Sequence, residues 1–222
     1  RQEAAMGYKA VIFDMDGVLI DTEKHWVQLE DAFLENLLGK EVAAKLGNTT
    51  GISIQNIYKK AVELGHIGSQ KDFEDAFDVK AQEIYRKADI SAGTVDLIEK
   101  LLEHNFKIGI VSASPLSWIQ IFLDRVPFGN SFDIIISLHE RSDLSHKPHP
   151  DGYNAAMKNL GVLPSETHIL EDSNPGIAAA KASGAYVIAL EEHLVPGYMQ
   201  SSDAHSKAKR MADVWSIIEA KI

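Results

Sequence analysis

The chain has no cysteine among its 222 residues. That excludes a disulfide framework, a thiolate zinc site and a thiol nucleophile, and it fits a reducing compartment. Long apolar runs are missing as well. None approaches the roughly 20 residues that a membrane helix needs. The opening residues RQEAAMGYKA lack the apolar segment of a signal peptide, and Met6 reads as a native start, with RQEAA as extra residues foreign to it. Without a secretion signal, the glycosylation triplet Asn48-Thr49-Thr50 carries no weight. Positive charge is scarce: 22 Lys and Arg face 32 Asp and Glu, for a net charge of -10 at pH 7. Such a surface is ill suited to wrapping nucleic acid, whose affinity comes from cations on phosphates. The expectation is a cytoplasmic protein, a monomer or weak dimer, with no membrane or nucleic-acid partner.

What is present is ordinary for a globular protein, with 45% apolar and 24% charged residues. The length allows one large domain or a core with an insert. KAVIF, residues 9–13, reads as a short buried strand. From Thr22 to Asp89 the periodicity is helical. Trp26, Leu29, Phe33 and Leu37 share one helix face, and Phe73, Phe77, Ala81 and Ile84 share another. Gly47, Gly51 and Gly65 break the stretch between them. From residue 90 onward, short apolar strands alternate with helices: KIGIV, DIIISL, HIL and AYVIAL are the strands. Thr94 is a candidate N-cap, Pro115 stands at a helix start, and Gly161 and Gly184 close helices. The tail after Glu191 reads as loop, with VWSIIEAKI as a last helix. Nearly continuous apolar strands between helices imply a parallel sheet covered on both faces. The expected fold is α/β, a doubly wound Rossmann-like core over 1–21 and 90–222 with an all-helical insert over 22–89.

Ligands bind at the carboxyl ends of strands in such sheets. Here those ends are polar. The first carries Asp14 and Asp16, the second Ser112 and Ser114, the third leads to Lys147, and the fourth carries Glu171 and Asp172. Carboxylates crowded away from water repel one another, raise a pKa or recruit a cation. Oxygen-only ligands suit magnesium, which also takes substrate phosphate oxygens. Lys147 and a serine hydroxyl add what an anion needs. A carboxylate can also attack phosphorus. Ser114 reads equally as N-cap of the following helix or as a substrate contact. Asp21 and Thr22 read as hinge or N-cap, and Asn174 as a possible cap. His146 and His149 flank Pro148 with no third ligand apparent, and magnesium does not favour imidazole.

DMDGVLIDTE resembles the first signature, DxDGxxxDT/S, of the haloacid dehalogenase-like superfamily. Ser112 in GIVSAS, Lys147 in SHKPHPDGY and the acidic LEDSNPGIAAAKASG match its later motifs in order. The resemblance implies a nucleophile at Asp14 and a general acid-base at Asp16. It implies Mg2+ held by Asp14, the Asp16 carbonyl and Asp172, with Glu171 in or beside that shell. Ser112, Lys147 and backbone N–H groups near Asp16 and Ala113 would hold the phosphate. It makes the insert a cap that sets specificity, with Thr22, His25, Ser53, Ile54 and Lys80 as candidate contacts. The implied activity is phosphomonoester hydrolysis on a small phosphorylated metabolite. A sugar or polyol phosphate leads, with phosphoglycolate and nucleotide monophosphates behind it.

The alternative within the resemblance is a β-phosphoglucomutase-like phosphosugar mutase. Those mutases carry an arginine in a cap loop of the form GxSRxxxL, and Ile54 stands in that place here. Pro115 stands where they tend to have lysine. A true dehalogenase would not need Asp16 or a metal, and a silent binding protein would be expected to have lost one of the acidic or basic groups. Asp14, Asp16, Lys147 and Asp172 are all present.

Overall fold

The computed structural model describes residues 9–47, 49 and 52–222, apart from the Leu29 side chain. The expectations for Met6, for Asn48 and Thr50 of the triplet, for Gly51 and for the Leu29 side chain lie outside the described residues. The chain divides into two compact units. One runs to Asp21 and resumes over Asp89–Ile222; the other is Thr22–Ala88. The return crossing falls one residue before the expected boundary. The two crossing segments are tied to each other: Asp21 N–H donates to the Asp89 carbonyl at 2.9 Å and Ser91 N–H to that of Leu19 at 2.9 Å.

The helical unit contains α1 (Glu23–Leu38), α2 (Lys40–Leu46), α3 (Ile54–Glu63) and α4 (Gln70–Lys87). Leu34, Leu38, Leu46, Ile57, Ala61, Phe73 and Phe77 form its core. Phe33 meets Phe77 edge-on at 4.9 Å, and Phe73 lies 5.0 Å from Phe77. All the expected positions on α4 are buried. Among the described side chains of α1 the deepest are Leu34 and Leu38, whereas Trp26, Phe33 and Leu37 are half-buried. The two columns are neighbours on one apolar face, and the helix is turned slightly from the orientation that the first column alone predicts. Ser53 and Ser69 cap α3 and α4, accepting from the N–H groups of Asn56 at 3.3 Å and Asp72 at 3.1 Å. Thr22 occupies the N-cap position of α1 without a side-chain capping bond.

Among its described residues the sheet unit has six strands: β1 (Ala10–Phe13), β2 (Lys107–Ser112), β3 (Ile134–Ser137), β4 (Thr167–Glu171), β5 (Tyr186–Leu190) and β6 (Ser206–Ala208). Their order is β3-β2-β1-β4-β5-β6, and every pairing is parallel. Its helices are α5 (Thr94–Glu103), α6 (Leu116–Asp124), α7 (Asp151–Leu160), α8 (Asn174–Ala182) and α9 (Val214–Glu219). Right-handed crossovers explain the layering. The path β1-β2-β3 moves one way across the sheet, and the path β4-β5 moves the other way, so α5 and α6 cover one face and α7 and α8 the opposite one. Tyr153, Met157 and Ile177 of the second pair pack with Ile12, Val111 and Val187. β1 is wholly buried at the centre.

Two expectations need correction. Residues 191–210 are not all loop, because β6 extends the sheet through the pairs Ile188↔Ser206 and Leu190↔Ala208. Ser-Lys-Ala has no apolar signature, and only the open edge of β5 makes it a strand. Thr94 is the first residue of α5 rather than its cap; Gly93, at φ +87°, takes the cap position and the Thr94 hydroxyl donates to the Ser91 carbonyl at 2.7 Å.

His168, on β4, has no exposed surface. Burial, with the Lys221 ammonium adding to it, pushes its imidazole down from 6.5 to about 3. The unfolded chain takes up this proton first. Stability held by the neutral ring is therefore complete above about pH 6.5 and is lost as pH falls toward 3. At full extent the loss is of order 5 kcal/mol. We expect His168→Leu to flatten the acid limb of urea-derived stability across this window; an unchanged slope would refute the assignment.

Candidate active site at the carboxyl edge of the sheet

β1 lies between β2 and β4, where the chain's direction of travel reverses, and this is where open α/β sheets form their ligand crevice. Asp14 follows the last residue of β1, and its N–H donates to the Leu170 carbonyl at 3.0 Å. Asp172 follows the last residue of β4, and Ser112 ends β2. Lys147 lies between β3 and α7. These four positions therefore share one edge for reasons of topology.

Lys147 is the hub. Its Nζ donates to Asp14 Oδ1 at 3.0 Å, Glu171 Oε1 at 2.6 Å and the Val111 carbonyl at 3.1 Å. Glu171 has no exposed surface. Its Oε1 also accepts the Tyr153 hydroxyl, and its Oε2 accepts the Asp172 N–H at 3.2 Å. The Lys147 ammonium lies 5.2 Å from the Tyr153 ring centre, a cation–π distance. Asp14, Glu171 and Asp172 each present an oxygen, all within 4.8 Å of one another. Gly17 makes this approach possible: it sits at φ +77°, and a Cβ there would stand 2.1 Å from Asp172 Oδ2. Ser114 holds the other aspartate, its hydroxyl donating to Asp16 Oδ2 at 2.7 Å. Ser114 is itself fixed, its carbonyl accepting the Ser137 hydroxyl at 2.7 Å and its N–H donating to Ser112 Oγ at 3.1 Å.

Burial, and then the Glu171 charge, push the Asp14 carboxyl up to about 6 against the pull of Lys147. Burial disfavours the Lys147 charge, but Asp14 and Glu171 outweigh it and hold the ammonium above its usual range. Burial, followed by the Glu171 charge, raises the Tyr153 phenol well above its ordinary value. Asp14 and Glu171 face the Lys147 ammonium, and Asp172 adds a third carboxylate to the cluster. An oxygen-only donor set of this kind fits a hard divalent cation. Glu171 is already engaged by Lys147, Tyr153 and the Asp172 N–H; Asp14 and Asp172 are the other two candidate ligands.

The family model for haloacid dehalogenase-like hydrolases matches residues 11–190. The chain belongs to this family. Hexitol phosphatase B of Escherichia coli (strain K12) is 31% identical over 78% of this chain and 79% of its own length. (DL)-glycerol-3-phosphatase 2 of Arabidopsis thaliana is 26% identical over 80% of this chain and 77% of its own. The crystal structure of β-phosphoglucomutase from Clostridium difficile shares the fold, with a TM-score of 0.75 at 20% identity over 96% of both chains.

In this haloacid dehalogenase-like hydrolase the structure brings Asp14, Lys147, Glu171 and Asp172 together and links Asp16 to Ser114. Ser112 is fully buried, and Ala113 beside it is exposed. The candidates in the helical unit look different. Thr22 is buried, His25 and Lys80 are half-buried, Ser53 caps α3, and Ile54 packs against the helical core. Lys80 pairs with Glu83 at 3.3 Å. Ser114 is not the N-cap of α6, which is Pro115. Asn174 is not the cap of α8 either; Ser173 accepts the Gly176 N–H at 3.2 Å.

Sequence reasoning missed Tyr153. In DGYNAAMKNL an aromatic on the apolar face of a helix reads as packing, and nothing local shows that its hydroxyl reaches a carboxylate 18 positions away. Tyr153→Phe deletes one donor to a buried charge. A loss of about 2 kcal/mol is expected in urea unfolding, and a change below about 0.5 kcal/mol would show that the bond contributes nothing.

Proposed function

We propose that the chain is a magnesium-dependent phosphomonoesterase for a small phosphorylated metabolite, a sugar or polyol phosphate first among candidates. The observation that carries this reading is Asp14 held against Lys147 at 3.0 Å, beside the acidic cluster. A carboxylate nucleophile attacking an anionic phosphoryl group needs positive charge at the point of attack.

Asp14 would attack phosphorus through a carboxylate oxygen, giving an aspartyl-phosphate as the alcohol leaves. Asp16 would protonate that alcohol and then take a proton from the water that cleaves the acyl-phosphate. The Ser114 hydroxyl fixes the Asp16 carboxyl for both transfers. Lys147 would stabilise the charge on the transferring group, with backbone N–H groups near Asp16 and Ala113 and the Ser112 hydroxyl as further donors. Mg2+, when bound by Asp14, the Asp16 carbonyl and Asp172, would supply charge neutralisation for Asp14 and the phosphate oxygens. Glu171 would hold Lys147 in place and border the cation shell. The unit Thr22–Ala88 is read as the specificity cap.

The names of the relatives favour sugar or polyol phosphates, since hexitol phosphatase and glycerol-3-phosphatase both act on polyol esters. A mutase is the second reading because a β-phosphoglucomutase shares the fold. Ile54 packs into helical core and Pro115 caps α6, so neither position supplies the second cation that a bisphosphate would need.

Phosphate release from a panel of polyol, sugar, glycolate and nucleotide monophosphates is the test. Wild type should turn over at least one ester with magnesium and none with chelator. Asp14→Asn should lose at least roughly a thousandfold in kcat. Turnover surviving in that variant would rule out Asp14 as nucleophile, and interconversion of glucose 1-phosphate and 6-phosphate without net release would favour the mutase.

A further inference from the structure

Between β5 and β6, residues 191–205 form no helix or strand. Even so, part of this stretch is bound closely to the acidic loop. The Tyr198 hydroxyl accepts the Asn174 N–H at 2.7 Å. Asn174 Nδ2 donates to the Met199 carbonyl at 2.9 Å, and Asn174 Oδ1 accepts the Ser201 N–H at 2.7 Å. Gln200 reaches further: its Nε2 donates to the Asp172 carbonyl at 2.9 Å and to the Leu190 carbonyl at 2.9 Å.

We propose that Gln200 is a positioning residue for the cation site, clamping the backbone of Asp172 to the end of β5 so that its carboxylate stays over Gly17. The inference rests on the magnesium reading above and deepens it. Asp172 is the first residue beyond β4, and the ladder to β5 ends one residue earlier at Glu171↔Ala189. Its carbonyl lies beyond that ladder, and the Gln200 amide joins it to the Leu190 carbonyl at the end of β5. The two donors of that amide fork between Asp172 and Leu190, and turning the amide over would set oxygen against two carbonyl oxygens. The clearance for the carboxylate is tight, since any Cβ on Gly17 would stand 2.1 Å from Asp172 Oδ2. A shift of the Asp172 backbone would move the ligand oxygen directly.

Gln200 Oε1 is buried and has no hydrogen-bond partner among the described residues. An unmade bond of this kind counts against folding, which weighs against a role in stability alone. Groups that orient metal ligands characteristically alter metal affinity rather than abolish folding.

The test is calorimetric titration of the full chain with Mg2+, alone and with inorganic phosphate, for wild type, Gln200→Leu, Gln200→Met and Asp172→Asn. Thermal melting run in parallel reports folding. Gln200→Leu should bind magnesium about tenfold or more weakly, and added magnesium should recover most of its lost phosphatase turnover. Asp172→Asn should lose binding, which establishes the cation site independently of Gln200. A folded Gln200→Leu with wild-type magnesium affinity overturns the proposal, even with a lowered melting temperature. Should Gln200→Leu not fold, Gln200→Met decides, since it keeps the length of the side chain and removes both donors: weaker magnesium binding supports the clamp, and unchanged binding overturns it. A wild type that takes up no magnesium with or without phosphate overturns the cation reading and the clamp together.

Discussion

The ammonium of Lys147 is buried among two carboxylates and a backbone carbonyl, and much of the molecule is arranged around it. A charge removed from water is tolerated only when it is paired and hydrogen-bonded. Lys147 is paired, but the balance is uneven, because Asp14, Glu171 and Asp172 bring more negative charge than one lysine cancels. The Asp14 carboxyl is raised by burial first and by the Glu171 charge second, against the pull of Lys147. An acidic cluster of this kind fits a hard divalent cation. The electrostatics that burden the fold are the same ones that suit the proposed chemistry.

Topology creates this condition. Parallel strands place their carboxyl ends on one edge, and the reversal between β1 and β4 sets Asp14 beside the acidic loop. Helix α7 then presents Tyr153 from beneath, while glycine at position 17 removes the one Cβ that would push Asp172 away. One part of the site is thus made of strand ends. The other consists of loops fastened by side chains: Ser114 to Asp16, and Gln200 to Asp172. The helical unit has its own aromatic core around Phe77 and needs no residue of the sheet to explain its packing.

Much of this was legible without coordinates. Short β-branched runs such as VIF and IIIS read as buried parallel strands because the sheet is covered on both faces and alternation disappears. The acidic groups at their ends follow from that reading, whereas Lys147, in the loop beyond β3, stood out through the motif that it resembles. What escaped was of two kinds. β6 has no apolar pattern, since an edge strand of three residues owes its form to the neighbour it pairs with. Capping assignments moved by one residue at Thr94 and Asn174, because whether a hydroxyl or amide caps a helix depends on competing partners: the Ser91 carbonyl for one, Met199 and Ser201 for the other.

The linear sequence by itself determined the chemical inventory and the order in which it is delivered: carboxylates after the first and fourth long strands, a lysine before α7, a helical block between the first two strands. Those features are local, governed by periodicity, turn chemistry and charge within a few residues. Tertiary structure decided which atoms meet. Ser114 reaches Asp16 across 98 positions and Gln200 reaches Asp172 across 28. A hydrogen bond requires placement to within a few tenths of an ångström, and only the packed sheet, its crossovers and its loops impose that precision.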